Sequence, residues 1–271
     1  MKFQQVRNAT IILDYAGTRF LIDPMLSPKG TFPAFPGTPN DHMFNPTVDL
    51  PIPIDDILSV DAVIVTHDHL DHWDELAKQV IPKDKPLFVQ NERDQATIQT
   101  SGFTDVRLLG ANTEFKGIVL IKTAGQHGSD QVMATPIGKL LGEVCGVLFK
   151  HPQEKTVYLA GDTLWNAHVQ DSLVQHLPDV AILNAGDAQV VGFGSIIMGK
   201  QDVYEVHKAA PQTTLIATHM ESVNHAMLTR SELRAFSAEK GMTHRLLVPE
   251  DGESSRFEPL NPSRTTSRKV M

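Results

Sequence analysis

The stretch DAVIVTHDHLDH, residues 61–72, constrains this chain more than any other part of it. A short run of β-branched and apolar residues ends at Val65, and positions 67–72 then carry three histidines and two aspartates. Such a run reads as a buried strand, so a dense set of ionisable groups stands where a rigid element ends. In extended chain alternate residues share a side, which lets His67 and His69 face one cation. Asp71 and His72, reached as the chain turns into a helix, can face a neighbouring one. Imidazole and carboxylate are the donors that borderline divalent ions prefer. A solvated turn capped by Asp71 or Asp74 would have no need of histidines at this spacing.

The arrangement recurs. IVLIKTAGQ leads to His127, TVYLAG to Asp162 and TTLIAT to His219, each time a β-prone run that ends in a potential ligand. His127, among small residues, can complete the first site and His219 the second. Asp162 can bridge them, because a carboxylate has two oxygens to offer. Helical patterns near 73–80, 165–176, 202–209 and 229–240, the last behind Thr229 as N-cap, alternate with the strands. This predicts an α/β or α+β sheet core with helices outside. ATIILDY and TRFLID, separated by Ala16-Gly17, predict an antiparallel hairpin at the start.

Residues 24–54 hold eight of the 17 prolines and show no helical or strand period. Phe32, Phe35, Met43 and Phe44 give this long loop apolar surface to pack, so it is expected to act as a lid or pocket wall, with His42 inside it. From residue 251 the sequence DGESSRFEPLNPSRTTSRKVM is polar and without period, so a single domain is expected over 1–250 and a mobile tail over 251–271.

Hydrophobic residues make up 41% and charged residues 21% of the chain, which suits a folded protein. A formal net charge of −8 disfavours nucleic acid and anionic membranes as partners and leaves a small-molecule substrate. The single cysteine, Cys145, excludes an intramolecular disulfide and an all-cysteine metal site, and reads as a packing residue in a reducing compartment. Asp14 and Arg19 interrupt the apolar opening that a signal peptide would need, and no apolar run approaches the roughly 20 residues of a spanning helix. A cytoplasmic protein is expected.

THDHLDH, then His127, GDT and THMESVNH resemble the ordered metal-binding motifs of the metallo-β-lactamase superfamily. The opening VRNATIILDYAGTRFLIDPML resembles more narrowly its branch of ascorbate-6-phosphate lactonases and related metal-dependent hydrolases. The resemblance covers roughly residues 3–250 and implies a four-layered αββα sandwich with a dinuclear site at one edge of the sheets. It implies His67, His69 and His127 as ligands of the first metal, Asp71, His72 and His219 as ligands of the second, and Asp162 as the bridge. It also implies that Asp23 supports the site from beneath, and it leaves room for a homo-oligomer. The chain departs from the pattern at Gln126, where the superfamily often has glycine before the third-motif histidine.

Two divalent ions, zinc first with manganese or iron as alternatives, would give a hydrolase its activated water. Asp71 or Asp162 could accept the proton released on attack, and His225 or Asn224 could donate to a developing oxyanion. A small-molecule ester, lactone or phosphoester is the expected substrate. The alternatives are a phosphodiesterase or nuclease of the same superfamily and a non-catalytic metal-binding protein. A phosphorylated substrate would need a cation beside the site, for which Lys200 and Arg230 are the candidates; Glu221 is a further residue of the crowded last motif.

Overall fold

The computed structural model describes residues 1–259. Two seven-stranded sheets form its centre. The first runs Ser254–Arg256, Lys2–Arg7, Thr10–Tyr15, Thr18–Ile22, Ala62–Val65, Leu87–Val89 and Val106–Leu108 in spatial order. The second runs Leu246–Leu247, Thr214–Thr218, Val180–Asn184, Val157–Leu159, Cys145–Lys150, Ile118–Ala124 and Thr113–Phe115. The expected hairpin pairs Ile12 with Leu21 and Tyr15 with Thr18.

Alternation along the strands creates the layers. Ala62 and Ile64 face the other sheet and join one core with Phe20, Phe149 and Ile182, whereas Val63 and Val65 face outward onto Trp73, Ala77 and Ile98. In the second sheet Val147 and Phe149 lie inside, while Leu148 packs outward with Val169, Val203 and Leu233 of the outer helices. Helices therefore cover both outer faces and give the αββα order. The expected helices span Glu75–Val80, Ala167–His176, Lys200–Ala209 and Arg230–Glu239, the last closed by a capping box of Thr229 and Glu232. Cys145 lies in the inter-sheet core, where burial pushes its thiol pKa up.

The tail expected from residue 251 needs correction. Ser254–Arg256 pairs antiparallel with Lys2–Gln4, and the Phe257 amide donates to the Met1 carbonyl at 3.0 Å. The edge of Lys2–Arg7 presents backbone donors and acceptors that require partners, and a polar strand can supply them through its own backbone. Residues 260–271 of that stretch lie outside the described residues.

Strand direction brings the ligands together. Ala62–Val65 runs parallel to both of its neighbours, as Val180–Asn184 does to Val157–Leu159 and Thr214–Thr218. Ile118–Ala124 is antiparallel to Cys145–Lys150, which is antiparallel to Val157–Leu159, so Ile118–Ala124 points the same way as the rest of the ligand-bearing strands of its sheet. The loops that follow these strands meet at one edge.

Candidate metal centre

Three groups of donors converge at that edge, each with ligand atoms within 4.8 Å of one another: His67, His69 and His127; His67, His72 and Asp162; Asp71, His72 and His219. His67 Nε2 lies 3.0 Å from His69 Nδ1, and His219 Nε2 lies 3.2 Å from both His72 Nε2 and Asp71 Oδ2. Asp162 Oδ2 sits among them, 3.1 Å from His72, 3.5 Å from His127 and 3.8 Å from His67 and His219. Its other oxygen accepts a 2.6 Å hydrogen bond from Asn184 Nδ2.

A supporting layer fixes which ring nitrogens face inward. Asp23 accepts from the Thr66 amide at 2.7 Å and the Thr66 hydroxyl at 2.8 Å, and stands 2.9 Å from His72 Nδ1. With its one proton directed to Asp23, the Thr66 hydroxyl is an acceptor for His67 Nδ1 at 3.2 Å. His127 Nδ1 donates to the Ile196 carbonyl at 2.9 Å, and His69 Nε2 faces the Leu140 carbonyl at 3.4 Å. Outer acceptors of this kind leave the inward nitrogen of each ring as a lone pair, the state in which histidine binds metal.

Electrostatics agree that the site fits cations. Burial opposes a charge on Asp162, yet His72, His219 and His127 hold its pKa well below the ordinary carboxylate value. Burial likewise opposes a charge on His72, yet Asp162, Asp23 and Asp71 raise its pKa well above the usual imidazole value. A buried imidazole ringed by three carboxylates demands positive charge, and a divalent ion meets that demand without a proton. Lone pairs 3.0 to 3.2 Å apart need the same remedy.

Two backbone features hold the set in register. His219 has φ +59° and donates its amide to the Asn8 carbonyl at 2.9 Å, across from the other sheet. Gly186 passes so close to the His219 carbonyl that a Cβ there would collide with it. At the third motif, Gln126 Nε2 bonds the Gly128 carbonyl at 3.0 Å and Asp130 Oδ1 at 2.9 Å, so the departure from glycine is accommodated by a braced turn.

Residues 18–220 match the family described as the beta-lactamase superfamily domain. The chain belongs to the metallo-β-lactamase superfamily. It is 52% identical over 258 residues to the UPF0173 protein YddR of Bacillus subtilis (strain 168), an alignment that covers 95% of this chain and all of that one. Among solved structures it is similar to the isothiocyanate hydrolase from Delia radicum gut bacteria, with TM-score 0.93, 48% identity and coverage of 95% and 99% of the two chains. A possible metal-dependent hydrolase from Veillonella parvula DSM 2008 gives TM-score 0.93 and 45% identity at the same coverage. The protein is a metal-dependent hydrolase of the metallo-β-lactamase fold.

In this superfamily member the donors open onto a cavity of about 760 Å³. His69, Asp71, His127, Asp162 and His225 are polar groups of its lining, and Phe35, Leu70, Ile137, Leu140, Val190 and Ile196 are among its apolar walls. His225 is buried, carries an unpaired Nδ1, and has its pKa lowered to about 4, chiefly by burial. It is thus a neutral imidazole at physiological pH.

The expectation for Asn224 needs correction. Both ends of its side-chain amide are engaged by Thr38, Pro39 and Asn45, so no donor is left for an oxyanion. Arg230 is bound to Glu221 and Asp251, and Lys200 lies over the Phe236 ring; neither lines the cavity. His42 is exposed and does not line it either. Sequence reasoning missed the apolar walls formed by Ile137, Leu140, Leu141, Val190, Val191 and Ile196, which mark themselves by no period and no chemistry, and Asn184, whose only signal is its position at the end of a strand. No helix among the described residues is long and apolar enough to cross a membrane.

Proposed function

We propose that the protein hydrolyses a small, uncharged electrophile with an apolar substituent, and that an isothiocyanate is its first candidate substrate. The observation that carries this reading is the cavity lining, which among the described residues combines apolar walls with the donor sets and includes no lysine or arginine. A phosphorylated substrate would find no cationic side chain there, whereas an apolar substituent gains from leaving water. The similarity to an isothiocyanate hydrolase at 48% identity supports the same choice. A lactone or carboxylic ester with an apolar tail is the second reading, because the same walls would receive it.

What two divalent ions, zinc before manganese or iron, supply when bound is a water activated near neutral pH and a Lewis acid for the electrophile. His67, His69 and His127 would hold one, Asp71, His72 and His219 the other, with Asp162 between them. The donors face a cavity and are not closed off by protein, as suits a catalytic centre better than a structural one. The reaction balances as R–N=C=S plus water giving R–NH2 and O=C=S. A carbon–oxygen bond forms, the carbon–nitrogen bond breaks, and both protons of water end on nitrogen. His225, neutral and part of the cavity lining, is the imidazole we assign to pass a proton to that nitrogen.

The test is a panel of an arylalkyl isothiocyanate, an alkyl-substituted lactone and an aryl phosphodiester, run on parent protein, chelator-treated protein and Asp162→Ala. Metal per chain is measured alongside. Close to two ions in the parent, fewer in the variant, and amine release that disappears on chelation are expected. Cleavage of the phosphodiester alone, or turnover indifferent to chelation, would sink the reading.

A further inference from the structure

We propose that Asn224 is the positioning residue that makes the proline-rich segment a fixed apolar wall of the cavity. By holding that wall, it sets how tightly the substrate's apolar substituent is bound. The inference rests on the hydrolase reading above.

The segment has little structure of its own. Its regular pairing is limited to Phe32–Pro33 with Phe44–Asn45, and its prolines offer no amide donors. Its order must come from outside: Arg7 donates to the Met25, Ser27 and Val48 carbonyls and the Val191 amide to the Gly37 carbonyl, but Asn224 makes more of these bonds than any other single residue. Asn224 Nδ2 donates to Thr38 Oγ1 at 2.7 Å and to the Pro39 carbonyl at 2.6 Å. Its Oδ1 accepts from Asn45 Nδ2, and its backbone amide donates to Asn45 Oδ1, both at 2.8 Å. Its carbonyl accepts from Asn40 Nδ2 at 2.9 Å. One buried residue thus meets four residues of the segment and uses every polar group it has.

What the anchor holds in place is chemical surface. Phe35, Pro36, Gly37 and Thr38 line the cavity, and the Phe35 ring meets the His225 ring edge-on at 5.0 Å. His225 follows Asn224 directly, so one turn of chain fixes both the proton-handling ring and the aromatic wall against it. The same loop begins at His219, a donor of the second set, which ties wall and metal centre to one piece of backbone. Release of the segment would widen the cavity beside the substituent and leave the donors where they are.

Asn224→Ala and Asn45→Ala, singly and together, test this in metal-loaded protein with methyl and phenylethyl isothiocyanate. We expect KM for the phenylethyl substrate to rise about tenfold in each variant, with kcat and the methyl substrate's kcat/KM within about twofold of parent. The two substitutions share the Asn45 Nδ2–Asn224 Oδ1 bond and otherwise remove different bonds to the same segment, so the double variant should raise KM by less than the product of the two singles. Metal per chain should hold, and backbone hydrogen exchange should quicken over residues 31–45 but not over 66–72. Equal losses for both substrates with falling metal content would overturn the proposal, as would unchanged exchange over 31–45. Faster exchange with an unchanged KM pattern would overturn the role in substrate binding. If the parent turns over no isothiocyanate, the isothiocyanate reading fails on that result, and exchange still decides whether Asn224 is the anchor.

Discussion

Asp23 receives two hydrogen bonds from Thr66 and pairs with His72 Nδ1, so one buried carboxylate orients two of the rings that face the cations. Its φ of +47° shows the backbone bent to put it there. Asp23→Ala should leave His67 and His72 in place but free to turn, and weaken metal binding by about 10- to 100-fold. Competition against a chromophoric chelator measures this, and an affinity equal to parent would show that the rings need no such support. The donors were legible in the sequence because each follows a strand-forming run, and strands that run the same way deliver their ends to one edge. Phe35, Leu140 and Ile196 were not legible as one wall, since they come from three distant segments and have no chemistry of their own to mark them.

At the level of elements, the loop after Val180–Asn184 and the loop after Thr214–Thr218 are in direct backbone contact. Gly186→Ala would force a Cβ into the carbonyl of His219, whose amide is already held by the Asn8 carbonyl. The expected result is destabilisation of about 2 to 3 kcal/mol, typical of overpacking, together with loss of about one ion. Thermal melting and elemental analysis would decide, and a parent-like melt with full metal would show that the two loops can separate at little cost. Helix Glu92–Thr100 escaped the sequence reading because it buries only Asp94 and Ile98, too few residues to make a period. The strand Ser254–Arg256 escaped because an edge strand is recruited through its backbone, which side chains do not announce.

For the whole molecule, burial of imidazoles makes stability depend on pH. Burial, against the opposing pull of Asp162 on His127 and of Asp71 on His225, lowers both groups to about 4, against about 6.5 in an unfolded chain. Between those values the unfolded state binds more protons, so stability falls as pH drops from about 6.5 toward 4, by about 1.4 kcal/mol per pH unit for each group. His72, raised by its carboxylates, works the other way near pH 7, where only the folded state holds its proton, and adds no slope well below 6.5, where both states are protonated. Urea midpoints of chelator-treated protein between pH 7 and 4.5 should show the decline; a flat series would mean that these rings take up protons while folded.

Apart from the returning strand Ser254–Arg256, the first sheet is built from residues up to 108 and the second from residues 113 onward. His67, His69, Asp71 and His72 follow a strand of the first sheet, and His127, Asp162 and His219 follow strands of the second. Neither half of the chain therefore owns a complete donor set. A cation seated in either set acts as a rivet between two plates, and the event that arms the protein for catalysis also cross-links its halves. A chain cut near residue 110 would leave two pieces that only the metal, with the shared core, could reunite.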